Sequence, residues 1–253
     1  MDKRIGAQLY TVRDFTQTKE DFDSTLKKLS EIGYKTVQIS AVGNIPAKDL
    51  KEVCDKYNIL PICTHRGYDE YMNNLDFSIE FHKTLGCKVA GLGCFPNLWG
   101  STSLDEITRF ITDMNKVAAE FKKHGMSFAY HNHNLEFVKF EGKYMMDYLI
   151  EYGDFDFIVD VYWLAAAGIN PADFIKKLGK RARIIHFKDL KVVPGDDRQI
   201  AEVMEGNLDW DSIIEACEEA GSEYAFVEQD TCQRDPFESL KISYDNLKTK
   251  GFF

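Results

Sequence analysis

The six cysteines, Cys54, Cys63, Cys87, Cys94, Cys217 and Cys232, include no CxxC pair, which excludes a zinc ribbon. Long apolar runs are also absent. The opening Met1-Asp-Lys-Arg-Ile-Gly passes directly into a strand pattern, so neither a signal peptide nor a membrane span is expected. The expected setting is the cytoplasm, with reduced thiols serving mostly as small core residues. Positive charge is scarce: 31 Lys and Arg face 41 Asp and Glu, a net charge of -10. That balance speaks against a broad nucleic-acid surface, although a few local cations can still meet an anionic substrate. A phosphate fingerprint is missing too. Gly91-Leu-Gly93 follows a strand pattern, but Pro96 stands where the third glycine would be. No low-complexity linker divides the chain.

What is present suits one large core. The chain has 253 residues, 44% hydrophobic and 28% charged. Eight strand signals alternate with helical patterns. The strands are expected at 5–10, 35–40, 59–65, 88–93, from 127 into the histidines, 156–160, 182–187 and 224–228. Between them, an apolar stripe of Phe22, Leu26, Leu29 and Ile32 marks a helix ended by Gly33. Pro46 opens a second helix. Further helices are expected at about 68–85, 104–124, 143–151, 210–220 behind an Asp209 cap, and 236–248, with helical turns running through Trp163 and Asn170 to Leu178. A long loop is expected from 188 to about 208. This alternation predicts parallel βα units and, at this length, one α/β domain over 1–253, a (β/α)8 TIM barrel.

The chemistry gathers at strand ends, where barrels place their sites. Ser127-Phe-Ala-Tyr-His131-Asn-His133-Asn-Leu-Glu136-Phe137 runs from an apolar strand into two histidines and a carboxylate. Alternate strand residues share a face, so His131 and His133 can point the same way. Three later strands end in Asp160, His186 and Glu228, and His65 ends the third. His82 and His124 fall on helices, where packing or solvated roles are expected. Asp160 has a second reading as a helix cap, and Glu228 as half of an ion pair across the mouth. A mixed nitrogen and oxygen ligand set suits Mn, Zn, Fe or Co better than Ca or Mg. Such an ion acidifies the C–H beside a carbonyl, and a nearby carboxylate or imidazole moves the proton. Arg13, Arg66, Lys188 and Arg234 are candidate cations at the mouth. Tyr10, Phe95, Trp99 and Trp163 are aromatics that can pack on a sugar's apolar face.

These landmarks resemble the xylose isomerase-like sugar phosphate isomerase/epimerase superfamily, across essentially the whole length. They are Gln8-Leu-Tyr-Thr-Val-Arg13, Tyr130-His-Asn-His-Asn-Leu-Glu-Phe137, Asp160-Val-Tyr-Trp163 with Ala167-Gly168, His186-Phe-Lys-Asp189 and Val227-Glu-Gln-Asp230. The resemblance implies a divalent metal held by residues from strands five to eight. Carried over, the ligands are Asp160, His186 and Glu228, with His131 at the strand-five position that usually holds Glu. His133 or Glu136 are alternatives there. In the ketose epimerases of this superfamily two ligand glutamates form an acid–base pair, and this chain keeps only Glu228. Gln38 stands where relatives often carry Glu, and it cannot exchange a proton at neutral pH.

The reading is a metal-dependent sugar isomerase or epimerase acting beside the carbonyl of a small sugar, keto sugar or cyclic polyol. Glu228, His133 and Lys188 are the candidate catalytic residues. Gln8, Arg13, Gln38, His65 and Trp163 are the candidate substrate contacts. The His-Asn-His variant also resembles inosose dehydratases and lyases of 3-keto-glycosides, so elimination is the alternative. A sugar-binding barrel without catalysis is a third reading. Endonuclease IV, a zinc nuclease of the same superfamily, fits poorly with the net charge. No nucleic-acid or membrane partner is expected, and Phe252-Phe253 hints at a homo-oligomer interface or a frayed tail.

Overall fold

A computed structural model describes residues 1–97, 100, 102–195 and 197–253. Eight parallel strands close into a barrel: β1 (Gly6–Gln8), β2 (Thr36–Ile39), β3 (Leu60–Thr64), β4 (Val89–Leu92), β5 (Ser127–His131), β6 (Asp156–Asp160), β7 (Ala182–Phe187) and β8 (Tyr224–Val227). Each pairs with its sequence neighbours, and β8 closes the ring on β1. Around them lie α1 (Lys19–Ile32), α2 (Ala47–Lys56), α3 (Tyr68–Asn73), α4 (Leu75–Leu85), α5 (Leu104–Lys123), α6 (Met145–Tyr152), α7 (Val161–Ala166), α8 (Pro171–Leu178), α9 (Trp210–Ala220) and α10 (Pro236–Lys248).

The two-residue period of a strand sorts the core into two layers. Outward residues such as Phe128, Tyr130, Val159, Phe187 and Val227 join the helices in one large apolar cluster. Inward residues Cys63, Val89, Ala129, Ile158, Ile184 and Phe226 form a smaller plug inside the barrel. Gly6 leaves room for that plug, since a Cβ there would sit 2.3 Å from the Phe226 ring. Two residues further along lies the next inward layer, and it is polar at all of these strands but β4, where Val89 is followed by Gly91. Cys63 is followed by His65, Ala129 by His131, Ile158 by Asp160, Ile184 by His186 and Phe226 by Glu228. The register puts Asp160 level with His186.

Several expectations need correction. The helix expected over 68–85 is two helices, because Asn74 breaks the turn at φ -140° and ψ 41°. The first strand stops at Gln8, whose side chain accepts the Tyr10 N–H and turns residues 9–15 into a 3-10 helix carrying Arg13. The expected loop over 188–208 contains an antiparallel hairpin, Asp189–Val193 with Asp197–Ala201. Asp189 organises it: the buried carboxylate accepts the backbone N–H groups of Leu190, Met204, Gly206 and Leu208 and the Trp210 indole N–H. A tight hairpin also precedes α6, turning at Glu141 and Gly142, both with positive φ. The end of the chain is tied down, with Phe253 bonded to Lys3 and Ile5 and Phe252 buried against Phe187.

Cys54, Cys63, Cys87 and Cys217 are buried free thiols, Cys94 is exposed and Cys232 is half-buried. Among the described residues no helix is long and apolar enough to cross a membrane.

Candidate active site

Four ligand atoms, one each from His131, Asp160, His186 and Glu228, lie within 4.8 Å of one another at the C-terminal end of the barrel. All four residues are buried. Three of them, His131, His186 and Asp160, are oriented by a bond made with their other polar atom. His131 Nδ1 is 3.0 Å from the Gly93 carbonyl, which can only accept, so Nδ1 carries the proton and Nε2 turns inward, 3.4 Å from Asp160 Oδ2. His186 Nε2 lies 2.7 Å from Gln38 Oε1, which leaves Nδ1 facing the cluster. Asp160 Oδ1 accepts the Trp163 N–H at the start of α7, while its Oδ2 faces the site. Both readings of Asp160, helix cap and site carboxylate, therefore hold at once, one on each oxygen. Asn132 clamps the same residue by accepting its backbone N–H at 3.0 Å.

A divalent ion fits this donor set. His186 Nδ1 and Glu228 Oε2 are 2.8 Å apart, yet neither buried atom has a hydrogen-bond partner among the described residues. They point at a common centre rather than at each other. Two imidazole nitrogens and two carboxylate oxygens suit Mn, Fe, Co or Zn. Glu136 is committed elsewhere: it accepts from the Tyr130 hydroxyl at 2.6 Å and the His133 backbone N–H at 2.8 Å. It shapes the turn after β5 and does not reach the cluster.

Lys188 is the buried cation beside the cluster. Its ammonium lies 2.8 Å from Asp230 Oδ1, 3.4 Å from Asp160 Oδ2 and 3.5 Å from Glu228 Oε2. Burial opposes that charge, but the three carboxylates outweigh it and hold its pKa above the ordinary range. In turn, burial is the largest influence on Asp160 and Glu228 and favours their neutral forms, but Lys188 together with His131 and, at Glu228, His186 outweighs it and keeps both below the usual carboxylate range.

A chamber of about 550 Å³ opens over the cluster. Gln8, His65, His131, His133, Lys188 and Glu228 all line it, with Tyr10, Phe95, Arg66 and Asp230. The His65 ring sits 5.2 Å from that of His131 and 5.6 Å from that of His186. Its Nδ1 is 3.4 Å from Gln8 Nε2, and its buried Nε2 has no hydrogen-bond partner among the described residues. Gly91 and Gly93 make room for it, since a Cβ at either would fall 3.0–3.1 Å from the ring. The Gly-Leu-Gly stretch serves close packing here. His133 stands one step outward, 4.8 Å from the His131 ring and 5.2 Å from that of Trp163. Burial, then the charges of His131 and Lys188, push its pKa down to about 3, so it is neutral.

Three expected substrate contacts do not line the chamber. Arg13 is spent on the Tyr10 and Asp230 carbonyls and stacks on the Tyr10 ring. Gln38 lies beneath, on His186. Trp163 stands behind His133, with its indole 5.1 Å from the Lys188 ammonium. Arg234 reaches outward to Glu202 and Glu238, and Trp99 falls outside the described residues. Asp230, which pairs with Lys188, and Asn132, which accepts the Asp160 N–H, join the site although composition and periodicity do not single them out. Their signal was adjacency to the ligands.

The xylose isomerase-like TIM barrel family matches residues 26–248. No curated protein matches the chain. Among solved structures, a sugar phosphate isomerase/epimerase from Parabacteroides distasonis is 21% identical with a TM-score of 0.80, over 97% of this chain and 93% of that one. A probable 3-DHS dehydratase from Bacillus anthracis is 11% identical with a TM-score of 0.74, over 98% and 99%. An AP endonuclease, family 2, from Brucella melitensis is 15% identical with a TM-score of 0.71, over 94% and 96%. At such identities the likeness is one of fold.

Proposed function

The chain belongs to the xylose isomerase-like TIM barrel family, and from that footing we propose a metal-dependent isomerase or epimerase of a small sugar, keto sugar or cyclic polyol. Residues 1–253 would form one domain working in the cytoplasm. The observation that carries this reading is the convergence of His131, Asp160, His186 and Glu228 at the barrel mouth, with both imidazole N–H groups tied elsewhere.

When bound, a divalent ion would polarise a substrate carbonyl or hydroxyl and acidify the adjoining C–H. The chain's own residues supply the rest. Glu228, which lines the chamber with an oxygen 3.5 Å from the Lys188 ammonium, moves the proton on the carbon. Lys188, steadied by Asp230, offers a fixed positive charge to the oxygen on which negative charge develops. His133, neutral at pH 7, hydrogen-bonds a hydroxyl at the chamber wall. Gln8 and His65 hold the side near β1 and β3.

The test is metal content of protein purified without chelator, followed by exchange of substrate C–H protons in D₂O across a panel of keto sugars. Bound metal with exchange supports the proposal. Metal and sugar binding without exchange favours a non-catalytic barrel, and a protein that takes up no Mn, Co or Zn removes the premise.

A second reading, elimination from an oxidised sugar or polyol, is favoured by one feature. The cluster holds His131 at the position where the resemblance to ketose epimerases implies a second carboxylate. One base and one leaving group suffice for elimination. Products that lose water or an alcohol, rather than isomers, would select it.

A further inference from the structure

His65, just past the end of β3, stands against the four-atom cluster without belonging to it. Its ring lies 5.2 Å from that of His131 and 5.6 Å from that of His186. What separates it from those two is where its proton sits.

The order starts at a backbone donor. The Tyr10 N–H donates to Gln8 at 3.0 Å, so the accepting atom is the amide oxygen, and the amide nitrogen is the atom 3.4 Å from His65 Nδ1. An amide nitrogen only donates. His65 Nδ1 therefore holds a lone pair, and the ring proton is left on Nε2. The Gln8 amide is kept from turning over because the 3-10 helix over residues 9–15 begins on that same Tyr10 bond. His131 and His186 are set the other way, by acceptors. The Gly93 carbonyl and Gln38 Oε1 take their N–H groups and leave a lone pair facing the cluster. A nitrogen that carries a proton cannot ligate. The His65 Nε2–H is also buried with no acceptor among the described residues, so it stays unsatisfied until a bound molecule brings one.

We propose that Gln8 keeps His65 off the ion and holds it as an uncharged N–H donor to an oxygen of the substrate. His65 then touches the substrate, and Gln8 is a positioning residue that acts through it. β3 and β7 lie opposite each other in the ring of eight strands, and Lys188 directly follows β7. The chamber is thereby lined by one neutral and one charged donor from opposite walls, which suits a substrate with two oxygens to be held rather than one. A neutral donor stabilises negative charge on oxygen without adding another cation beside the ion. The role toward substrate rests on the metal-centred reading, whereas the proton position does not.

The experiment is nitrogen NMR of the full chain carrying isotope-labelled histidine, metal-free and loaded with Zn, with glycolohydroxamate, an enediolate analogue, as the probe. The His65 signal is assigned by its loss in His65→Asn. Wild type is expected to carry a proton on Nε2 and none on Nδ1, with and without Zn. Gln8→Glu, which offers Nδ1 an acceptor, should place a proton there. Adding glycolohydroxamate to the loaded chain should move the Nε2–H signal downfield and slow its exchange with water. His65→Asn should keep its Zn and bind the probe on the order of tenfold more weakly. His65→Gln, whose amide nitrogen can reach the Nε2 position, should recover most of that loss. A proton on His65 Nδ1 in wild type, loss of Zn from His65→Asn, no probe binding by the loaded wild type, or equal probe affinity in wild type and His65→Asn overturns the proposal. If wild type takes up no Zn, the metal-centred reading fails separately. The metal-free chain then decides the relay, which a proton on Nε2 sustains and a proton on Nδ1 overturns.

Discussion

Gln38 Oε1 and His186 Nε2 lie 2.7 Å apart and join β2 to β7 across the barrel. The contact fixes which imidazole nitrogen carries the proton, and therefore which is free to ligate.

Replacing Gln38 with Leu should weaken metal binding by about 10- to 100-fold, because His186 loses its orientation and tautomer. Gln38→Glu should retain binding. A direct titration with Mn or Zn checks this, and unchanged affinity in Gln38→Leu would mean that His186 does not ligate through Nδ1.

His131→Ala, His186→Ala and Glu228→Ala should each lose the ion, expected at about one per chain. His133→Ala should keep it, since His133 stands outside the four-atom cluster. Metal analysis after desalting distinguishes the two outcomes. Retention in His131→Ala together with loss in His133→Ala would move the strand-five ligand outward.

Lys188→Met should bind metal more tightly, on the order of tenfold, because an ammonium 3.4 Å and 3.5 Å from two ligand carboxylates repels a dication. The same variant should lose about 100-fold or more in proton exchange. Competition against a fluorescent chelator gives the affinity, and equal affinity would show that the ammonium exerts no influence on the ion.

His82 makes stability depend on pH. It is buried in α4, with its ring nitrogens on Thr64 Oγ1 and the Ser78 carbonyl, and burial pushes its pKa from 6.5 down to about 4. Between those values the unfolded chain binds the proton and the folded chain does not. Stability is therefore complete above pH 6.5 and falls as pH drops toward 4, by about 3 kcal/mol. Urea unfolding across this range should show a shallower slope in His82→Gln than in wild type. Parallel slopes would remove His82 as the source.

Much of this protein could be read locally. The alternation of eight strands with helices, the Asp209 cap and the outer stripes depend on short-range periodicity and capping. Boundaries failed where competing local interactions won. The Gln8 side chain ended β1 early, and Asn74 broke a helix that apolar spacing alone would have continued. The 189–201 hairpin is organised by Asp189, which holds it through partners up to 21 residues away.

The sequence by itself determined which residues could meet. A two-residue period places His131, Asp160, His186 and Glu228 on inward faces, one step above an apolar plug. Only the tertiary structure decided how they are aimed. Gly93 orients His131, Gln38 orients His186, and the start of α7 takes one oxygen of Asp160. Arg13, Gln38 and Trp163 were likewise drawn away from the chamber by carbonyls, a histidine and packing. The reason is physical. Strand periodicity is a property of one segment, whereas a hydrogen bond between β2 and β7 exists only after the barrel closes.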